Sequence, residues 1–333
     1  GESWGPSGNI FPIQDYRFHS ASYNNTWNQY VSYSTHYYHR GDDYGAIPDS
    51  LSVVTSYDGI MTVIGNGEDS NPFYTMYEGG VDNRMSHMNI YTCNTDLQVG
   101  QEVPKGTYIG KTGSTYRGDP TQQKHDHHFH YSFEWNNTTI STYPTLIQGY
   151  FNSYPDDVLA IAGGFQYSIP GREMTLDGSR SVARPGRTIK SYQWKLHDGT
   201  IVNDSITTVV YTQPGLYSEE LIVEADNGSI DKNYLQVIVS TSDLQTNNIW
   251  GHFYYHPSRE IYPGTVVTFA NKLKVDNLQI DFGDGTPPQV VSFDSRSKHA
   301  YAHPGIYTVK LSGNGKNGEP AAIQLRLVVK PTP

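Results

Sequence analysis

The chain has 333 residues, a formal net charge of −10 and only 17% charged residues. Its mean hydropathy is −0.57, and no stretch approaches the roughly 18 apolar residues that cross a bilayer. We therefore expect no membrane span. The absence of a basic stripe excludes nucleic acid as an expected partner. The length suits two or three domains, each with its own core.

Short alternations of apolar and polar residues, bounded by Gly, Pro, Asn and Asp, recur along the whole chain. This pattern predicts an all-β protein, with one short helix at 144–152. The predicted strands are 51–64, 87–93, 127–135, 221–225, 235–240, 307–313 and 323–329.

Any metal site in this chain must use histidine and carboxylate ligands, because Cys93 is its only cysteine. His39 and Asp43 are four residues apart, and Gly41 between them can bend the backbone. Both side chains can then reach one zinc ion, which accepts imidazole nitrogen and carboxylate oxygen. The same spacing also fits a surface loop with a hydrogen-bonded histidine.

A second group of histidines lies in the predicted strand 127–135. His128 and His130 are two residues apart, so they project from one face while Phe129 packs on the other. One of the two can bind a metal while the other acts on a reacting group. A solvated polar face fits these residues equally well. His87 opens the predicted strand 87–93, where a structural role is the ordinary alternative.

Further motifs connect these histidines in a fixed order. Asp58-Gly59-Ile60-Met61 forms a predicted turn, and 99–115 reads VGQEVPKGTYIGKTGST. Taken in order from H-x-G-x-D to the final H-x-H-[FY], residues 35–135 resemble the lysostaphin-type (LytM-like) zinc metallopeptidase family. The resemblance implies a LytM-like antiparallel β-sheet catalytic domain at 1–157.

The resemblance also implies the cofactor and the roles of five residues. Zinc would be held by His39, Asp43 and His130, while His87 and His128 would be catalytic. Three protein ligands leave one coordination position open, as in catalytic zinc sites. The implied activity is that of a secreted or cell-surface endopeptidase of a bacterium. The N-terminal GESWGPSG has no apolar run, and we expect it to be a mature or trimmed N-terminus.

Two departures from the family keep other functions open. The link between Gly113 and His128 is longer than usual, and 65–84 resembles an insertion. A zinc-dependent polysaccharide lyase is the alternative, with zinc beside a uronate carboxylate and a His or Tyr as base. Its motivation is a tyrosine-rich first domain: Tyr37, Tyr38, Tyr44, Tyr74, Tyr77, Tyr116 and Tyr131. Ordinary packing of these tyrosines is the simpler interpretation.

A non-catalytic binding protein is the third hypothesis, and the presence of all five expected residues argues against it. The expected partner is an extracellular polymer: peptide cross-links, matrix protein or acidic polysaccharide. We make no prediction of oligomeric state.

The rest of the chain contains an internal repeat of about 85 residues. Both copies carry a D-G-T turn and a Y-x-x-P-G-x-Y corner, and the second contains Asp281-Phe282-Gly283-Asp284-Gly285-Thr286. The pattern resembles the PKD domain and predicts two immunoglobulin-like β-sandwiches, at 158–241 and 242–333. The first copy departs from the pattern at His197, where glycine is usual.

The repeats suggest two minor sites beside their structural role. We interpret Asp281 and Asp284 as turn residues, with calcium binding as the alternative. The aromatic residues Trp250, Phe253, Tyr254 and Tyr255 predict a linker interface, with docking of sugar or fibrous protein as the alternative.

Overall fold

The computed structural model describes residues 8–13, 22–23, 30–31, 37–45, 51–65, 73–77, 80–86, 93–116, 119–241, 249, 251–257 and 260–333. The fold is all-β, as predicted. The described residues contain one helix, α1 (Tyr143–Ser153), which extends the predicted helix by one residue at each end. At 11 residues this described helix is too short to cross a membrane. The chain divides between Pro155 and Asp156 into a first and a second compact unit.

The strands described in the first unit are β1 (Ser22–Tyr23), β2 (Tyr30–Val31), β3 (Tyr37–Tyr38), β4 (Asp42–Gly45), β5 (Ser52–Val54), β6 (Gly59–Ile64), β7 (Phe73–Tyr77), β8 (Val81–Ser86), β9 (Glu102–Val103), β10 (Tyr108–Lys111), β11 (Gly113–Tyr116), β12 (Asp119–Trp135) and β13 (Thr138–Ile140). The main sheet has the order β1-β4-β12-β8-β7-β6-β9, and β11 and β13 also pair with β12. Its pairings are antiparallel.

The long central strand β12 carries the core of this sheet on one face. Phe129, Tyr131 and Phe133 alternate along it and are fully buried. Burial of each such side chain stabilises the fold by about 1.5–3 kcal/mol. The Tyr131 hydroxyl donates to Ser56 Oγ at 2.9 Å and so ties β12 to the segment after β5.

Two strand predictions in this unit need comment. The predicted strand 51–64 was wrong as a single strand, because the chain leaves the ladder between β5 and β6. There Thr55 Oγ1 accepts the Thr107 amide at 3.1 Å, and the Asp58 carboxylate accepts the Lys105 amide at 2.7 Å. Of the predicted strand 87–93, residues 87–92 lie outside the described part of the chain.

Helix α1 is anchored by the N-terminal segment 8–13. Asn9 Nδ2 donates to the Thr145 carbonyl at 2.7 Å, and the Phe11 ring meets Tyr150 edge-on, with centroids 5.8 Å apart. Gly149 allows this close approach, because a Cβ there would lie 2.9 Å from Asn9 Nδ2. The helix therefore forms a fixed support beside the sheet.

The strands of the second unit are β14 (Val158–Leu159), β15 (Gln166–Ser168), β16 (Glu173–Asp177), β17 (Val182–Ala183), β18 (Ile189–Lys195), β19 (Ile201–Val202), β20 (Ile206–Val210), β21 (Gly215–Ala225), β22 (Ile230–Val239), β23 (Gly251–His256), β24 (Val266–Leu273), β25 (Asp276–Asp281), β26 (Gln289–Val290), β27 (Ser295–Ala300), β28 (Gly305–Asn314) and β29 (Pro320–Val329). They enclose two hydrophobic cores, one for each repeat, around Trp194 and Phe269 respectively. The domain limits at 241 and 242 stay a prediction.

The two repeats share one continuous sheet. Strand β21 of the first repeat runs parallel to β29 of the second, with Leu216 opposite Ala321. One ion pair and one hydrogen bond also cross between the repeats, and a second ion pair lies beside them in the first repeat. Arg326 Nε lies 2.7 Å from the buried Asp231 carboxylate, and Glu220 accepts from Thr308 Oγ1 at 2.8 Å while pairing with Lys232 at 3.1 Å. Removing one partner of a buried ion pair costs about 3–5 kcal/mol because it leaves the other charge unpaired, so a change at Arg326 alone should weaken the junction.

The repeat motifs have the same physical role in both copies. The Tyr217 hydroxyl donates to the Gln213 carbonyl at 2.8 Å, and the Tyr307 hydroxyl donates to the His303 carbonyl at 2.7 Å. Asp281 and Asp284 accept backbone amides of the D-G-T turn, from Gly283 and Thr286. Their carboxylates thus act as turn acceptors, in line with the structural interpretation.

A compensating pair explains the departure of the first repeat. In the second repeat, Gly283 has φ +75°, and a Cβ there would collide with the Thr308 carbonyl. In the first repeat, His197 bonds the fully buried Glu219 through its backbone amide at 2.6 Å and through Nδ1 at 2.8 Å. Glu219 occupies the motif position of Val309. A histidine and a glutamate therefore replace a glycine and a valine together.

Two of the aromatic residues that suggested docking belong to the core. Phe253 and Tyr255 lie in the second hydrophobic core, and Tyr254 is half-buried. Trp250 lies outside the described residues. Phe253 and Tyr255 are therefore core residues of the second repeat, which neither the interface interpretation nor the docking alternative predicted.

The junction between the repeats yields a matched prediction. Gly215 and Gly305 occupy the same motif position, but a Cβ on Gly215 would collide with the Pro320 carbonyl, whereas one on Gly305 meets nothing closer than 3.5 Å. We expect Gly215→Ala to lower the free energy of unfolding of the second unit by about 1–3 kcal/mol, as overpacking does. Gly305→Ala, measured in the same denaturant titration, should change it by less than about 1 kcal/mol. Equal effects would contradict this account of the junction.

Candidate metal centre

The structure brings together the rings of two predicted zinc ligands that are 91 residues apart in sequence. The imidazole centroids of His39 and His130 are 5.0 Å apart, and the ring planes are inclined at 84°. His39 lies between β3 and β4 and is 8% exposed, and His130 is a half-buried residue of β12. Two imidazoles thus meet beside β12, within the main sheet.

Gly41 provides the space in which the His130 ring lies. The chain bends at Gly41, as the sequence predicts. A Cβ on this residue would lie 2.6 Å from both His130 Nε2 and the Tyr131 carbonyl oxygen. Position 41 therefore requires glycine for two reasons: a side chain would collide with the His130 ring, and the backbone bends there.

The backbone positions of two other candidates, Asp43 and His128, lie close to His130. Asp43 is the register partner of His130 across the β4–β12 pair. On the other side, His130 pairs with Ser86, the last residue of β8, and His87 is the next residue of the chain. His128 precedes His130 by two residues in β12. The side chains of Asp43 and His128, and the whole of His87, lie outside the described part of the structure.

The described side chains fit a zinc ion by their donor types. Two imidazoles beside a strand position occupied by Asp43 match the nitrogen and oxygen ligands of catalytic zinc. Among the side chains that the structure describes, no group of three His, Cys, Asp or Glu is placed to hold a metal. Burial raises the pKa of the Cys93 thiol to about 11, which favours the thiol over the reactive thiolate.

The glycine-rich segment 99–115 contains strands β9 and β10 and the turns around them. Gly100 and Gly106 have φ +87° and +83°, a backbone region that residues with a side chain rarely adopt. The turn at Gly106 brings the Lys105 amide to the Asp58 carboxylate, at 2.7 Å. Turn geometry thus explains Gly100 and Gly106 of this motif.

Asp42 is a residue that the sequence interpretation did not single out. It is fully buried, pairs with Tyr131 across the ladder, and accepts a hydrogen bond from the Thr142 hydroxyl. Thr142 is the N-cap residue of α1 and is also fully buried. The signal was present in Thr142-Tyr143-Pro144, an N-cap residue followed by proline. The adjacency of Asp42 to Asp43 also indicated opposite faces of a strand.

Comparison with protein families agrees with the resemblance drawn from the repeat motifs. A family model described as "PKD domain" matches residues 158–239, which confirms the prediction of a PKD-like domain in the first repeat. The comparison with curated proteins gave no match.

Among solved structures, three similar chains are peptidases by description. A protein described as a glycyl-glycine endopeptidase LytM from Ruminococcus gnavus is 23% identical over 42% of this chain and 60% of its own, with a TM-score of 0.34. A zinc-containing peptidase from Vibrio cholerae is 21% identical over 43% of this chain and 41% of its own, with a TM-score of 0.32. Lysostaphin from Staphylococcus simulans is 14% identical over 67% of this chain and 91% of its own, with a TM-score of 0.34. This chain therefore spans less than two thirds of the first two proteins, 60% of one and 41% of the other.

Proposed function

We propose that this protein is a secreted or cell-surface zinc-dependent endopeptidase. The observation that carries the proposal is the meeting of the His39 and His130 rings in the space that Gly41 leaves open. The backbone pairing of Asp43 with His130 supports a third ligand at the same place. The ordered motifs between 35 and 135 supply the reaction class.

The proposal assigns two kinds of role. His39, Asp43 and His130 hold the metal, and a bound zinc supplies Lewis-acid chemistry that polarises a carbonyl and activates water. His87 and His128 move protons: one accepts a proton from the attacking water, and the other donates to, or stabilises, the developing oxyanion. Neither is a ligand in this assignment.

The proposed substrate is an extracellular polymer with peptide bonds, in cell-wall cross-links or matrix protein. A zinc-dependent polysaccharide lyase is the second candidate, and one feature favours it. Strand β12 extends nine residues before His128 and pairs with β11, Gly113 lying opposite His128. This hairpin is the longer link seen in the sequence, so the surroundings of His128 differ from the family pattern.

The first prediction concerns metal content. His39→Ala and His130→Ala should each lose the single zinc that we expect per chain, because each removes one of three ligands. Elemental analysis of dialysed protein measures this, with circular dichroism to show that the fold remains. His303→Ala, in the exposed corner of the second repeat, is the control for adventitious binding and should keep full zinc. Full zinc in the His39 variant would remove the central claim.

The second prediction tests the space at Gly41. Gly41→Ala should lower zinc affinity by about 10- to 100-fold, the range for residues that orient metal ligands, because the new methyl group displaces the His130 ring. Gly149→Ala is the matched control, since its methyl group meets Asn9 and Ile10 instead. The control should lose stability and keep its zinc affinity, as measured by competition with a chromophoric chelator. Unchanged affinity in Gly41→Ala would contradict the proposed position of His130.

The third prediction separates catalysts from ligands and hydrolysis from elimination. His87→Ala and His128→Ala should keep zinc and lose about 10²- to 10⁴-fold in rate, the usual cost of losing a general acid or base. Loss of zinc in either variant would exchange the two sets of roles.

On a panel of peptides and acidic polysaccharides we expect new amines, the products of peptide hydrolysis, and no rise in ultraviolet absorbance, the sign of elimination. A zinc-dependent absorbance rise that His128→Ala abolishes would establish the lyase instead.

A further inference from the structure

A buried polar pair, Asp42 and Thr142, lies next to the candidate metal centre in the fold, since Asp42 is the neighbour of Asp43 in β4. The Asp42 and Thr142 side chains are both fully buried, and the Thr142 hydroxyl donates to the Asp42 carboxylate across 100 residues of sequence. Burying a carboxylate is costly unless hydrogen bonds satisfy it. A charge in this position therefore needs a specific partner, and the pairing restricts where β4 can lie.

The position of Asp42 in its strand links it to the site. Strand β4 has only four residues, and its ladder with β12 covers four register positions, from His128 to Tyr131. Because side chains alternate, a slip of one residue would exchange the two faces of the strand. The register that places Asp42 opposite Tyr131 therefore also places Asp43 opposite His130.

The partner of Asp42 is on a fixed element. The Thr142 carbonyl accepts the Leu146 amide at 2.9 Å in the first turn of α1, but its hydroxyl makes no cap to its own helix. The hydroxyl donates its hydrogen bond to the Asp42 carboxylate instead. The helix itself is held through buried Leu146 and Tyr150 and by the bond from Asn9 to the Thr145 carbonyl.

We propose that Asp42 is a positioning residue for the metal centre. Through Thr142 it anchors β4 to α1 in the register that sets Asp43 opposite His130 and Gly41 beside the His130 ring. The part that concerns zinc rests on the proposed function, whereas the register claim holds for the metal-free protein as well.

The test uses the full chain and two readouts. Thr142→Val removes the donor and nearly keeps the shape, Asp42→Leu removes the acceptor, and Thr142→Ser retains the hydroxyl. We expect the first two to lower zinc affinity about 10- to 100-fold and the serine variant to restore it to within about threefold of the unaltered protein. In the metal-free protein, amide hydrogen exchange of β4 should accelerate in Thr142→Val and not in Thr142→Ser.

The matched control is Asn9→Ala, which removes a bond to the same helix but none to β4. It should destabilise the protein without changing zinc affinity or the exchange of β4 relative to its neighbours. Unchanged exchange of β4 in Thr142→Val, or an equal loss of zinc affinity in Asn9→Ala, would overturn the proposal. If the unaltered chain binds no zinc, the proposed function fails, and the exchange experiment still decides whether Asp42 sets the register.

Discussion

The strict alternation of side chains along β12 is the constraint on which the first unit depends. One face of this strand buries Phe129, Tyr131 and Phe133 in the core, and His130 lies between two of them on the other face. The same backbone therefore carries three fully buried core side chains and a candidate metal ligand. A ligand supported in this way cannot shift without disturbing the core, which keeps it in place before a metal binds.

Polar groups buried beneath the site extend this constraint to neighbouring elements. Tyr131 is tied through Ser56 to the segment after β5, and Asp42 is tied through Thr142 to α1. Each bond satisfies groups that would be costly to bury alone, and each joins elements far apart in sequence. The core of this unit thus specifies a register as well as supplying stability, which is what a site assembled from adjacent strands requires.

In the second unit, strand pairing and buried polar contacts join two repeats. Its repeats keep separate hydrophobic cores but are joined by the β21–β29 pairing and by the buried Arg326–Asp231 ion pair. Within the first repeat, His197 and Glu219 together replace the glycine and valine of the second. We therefore expect the two repeats to behave as a single element.

The sequence by itself determined the all-β class, the helix at the end of the first unit, the repeat and its corner motifs, and the residue types of the candidate site. These follow from local patterns: alternation, turn residues and ligand chemistry over a few positions. Tertiary structure decided what depends on distance between remote segments. It set the His39 and His130 rings 5.0 Å apart, divided the predicted strand 51–64 into two, and made Gly41 necessary for the space it leaves. It also paired Asp42 with Thr142 and joined the repeats in one sheet. Local patterns cannot specify these contacts, because each arises only when packing brings together groups that share no neighbourhood in the chain.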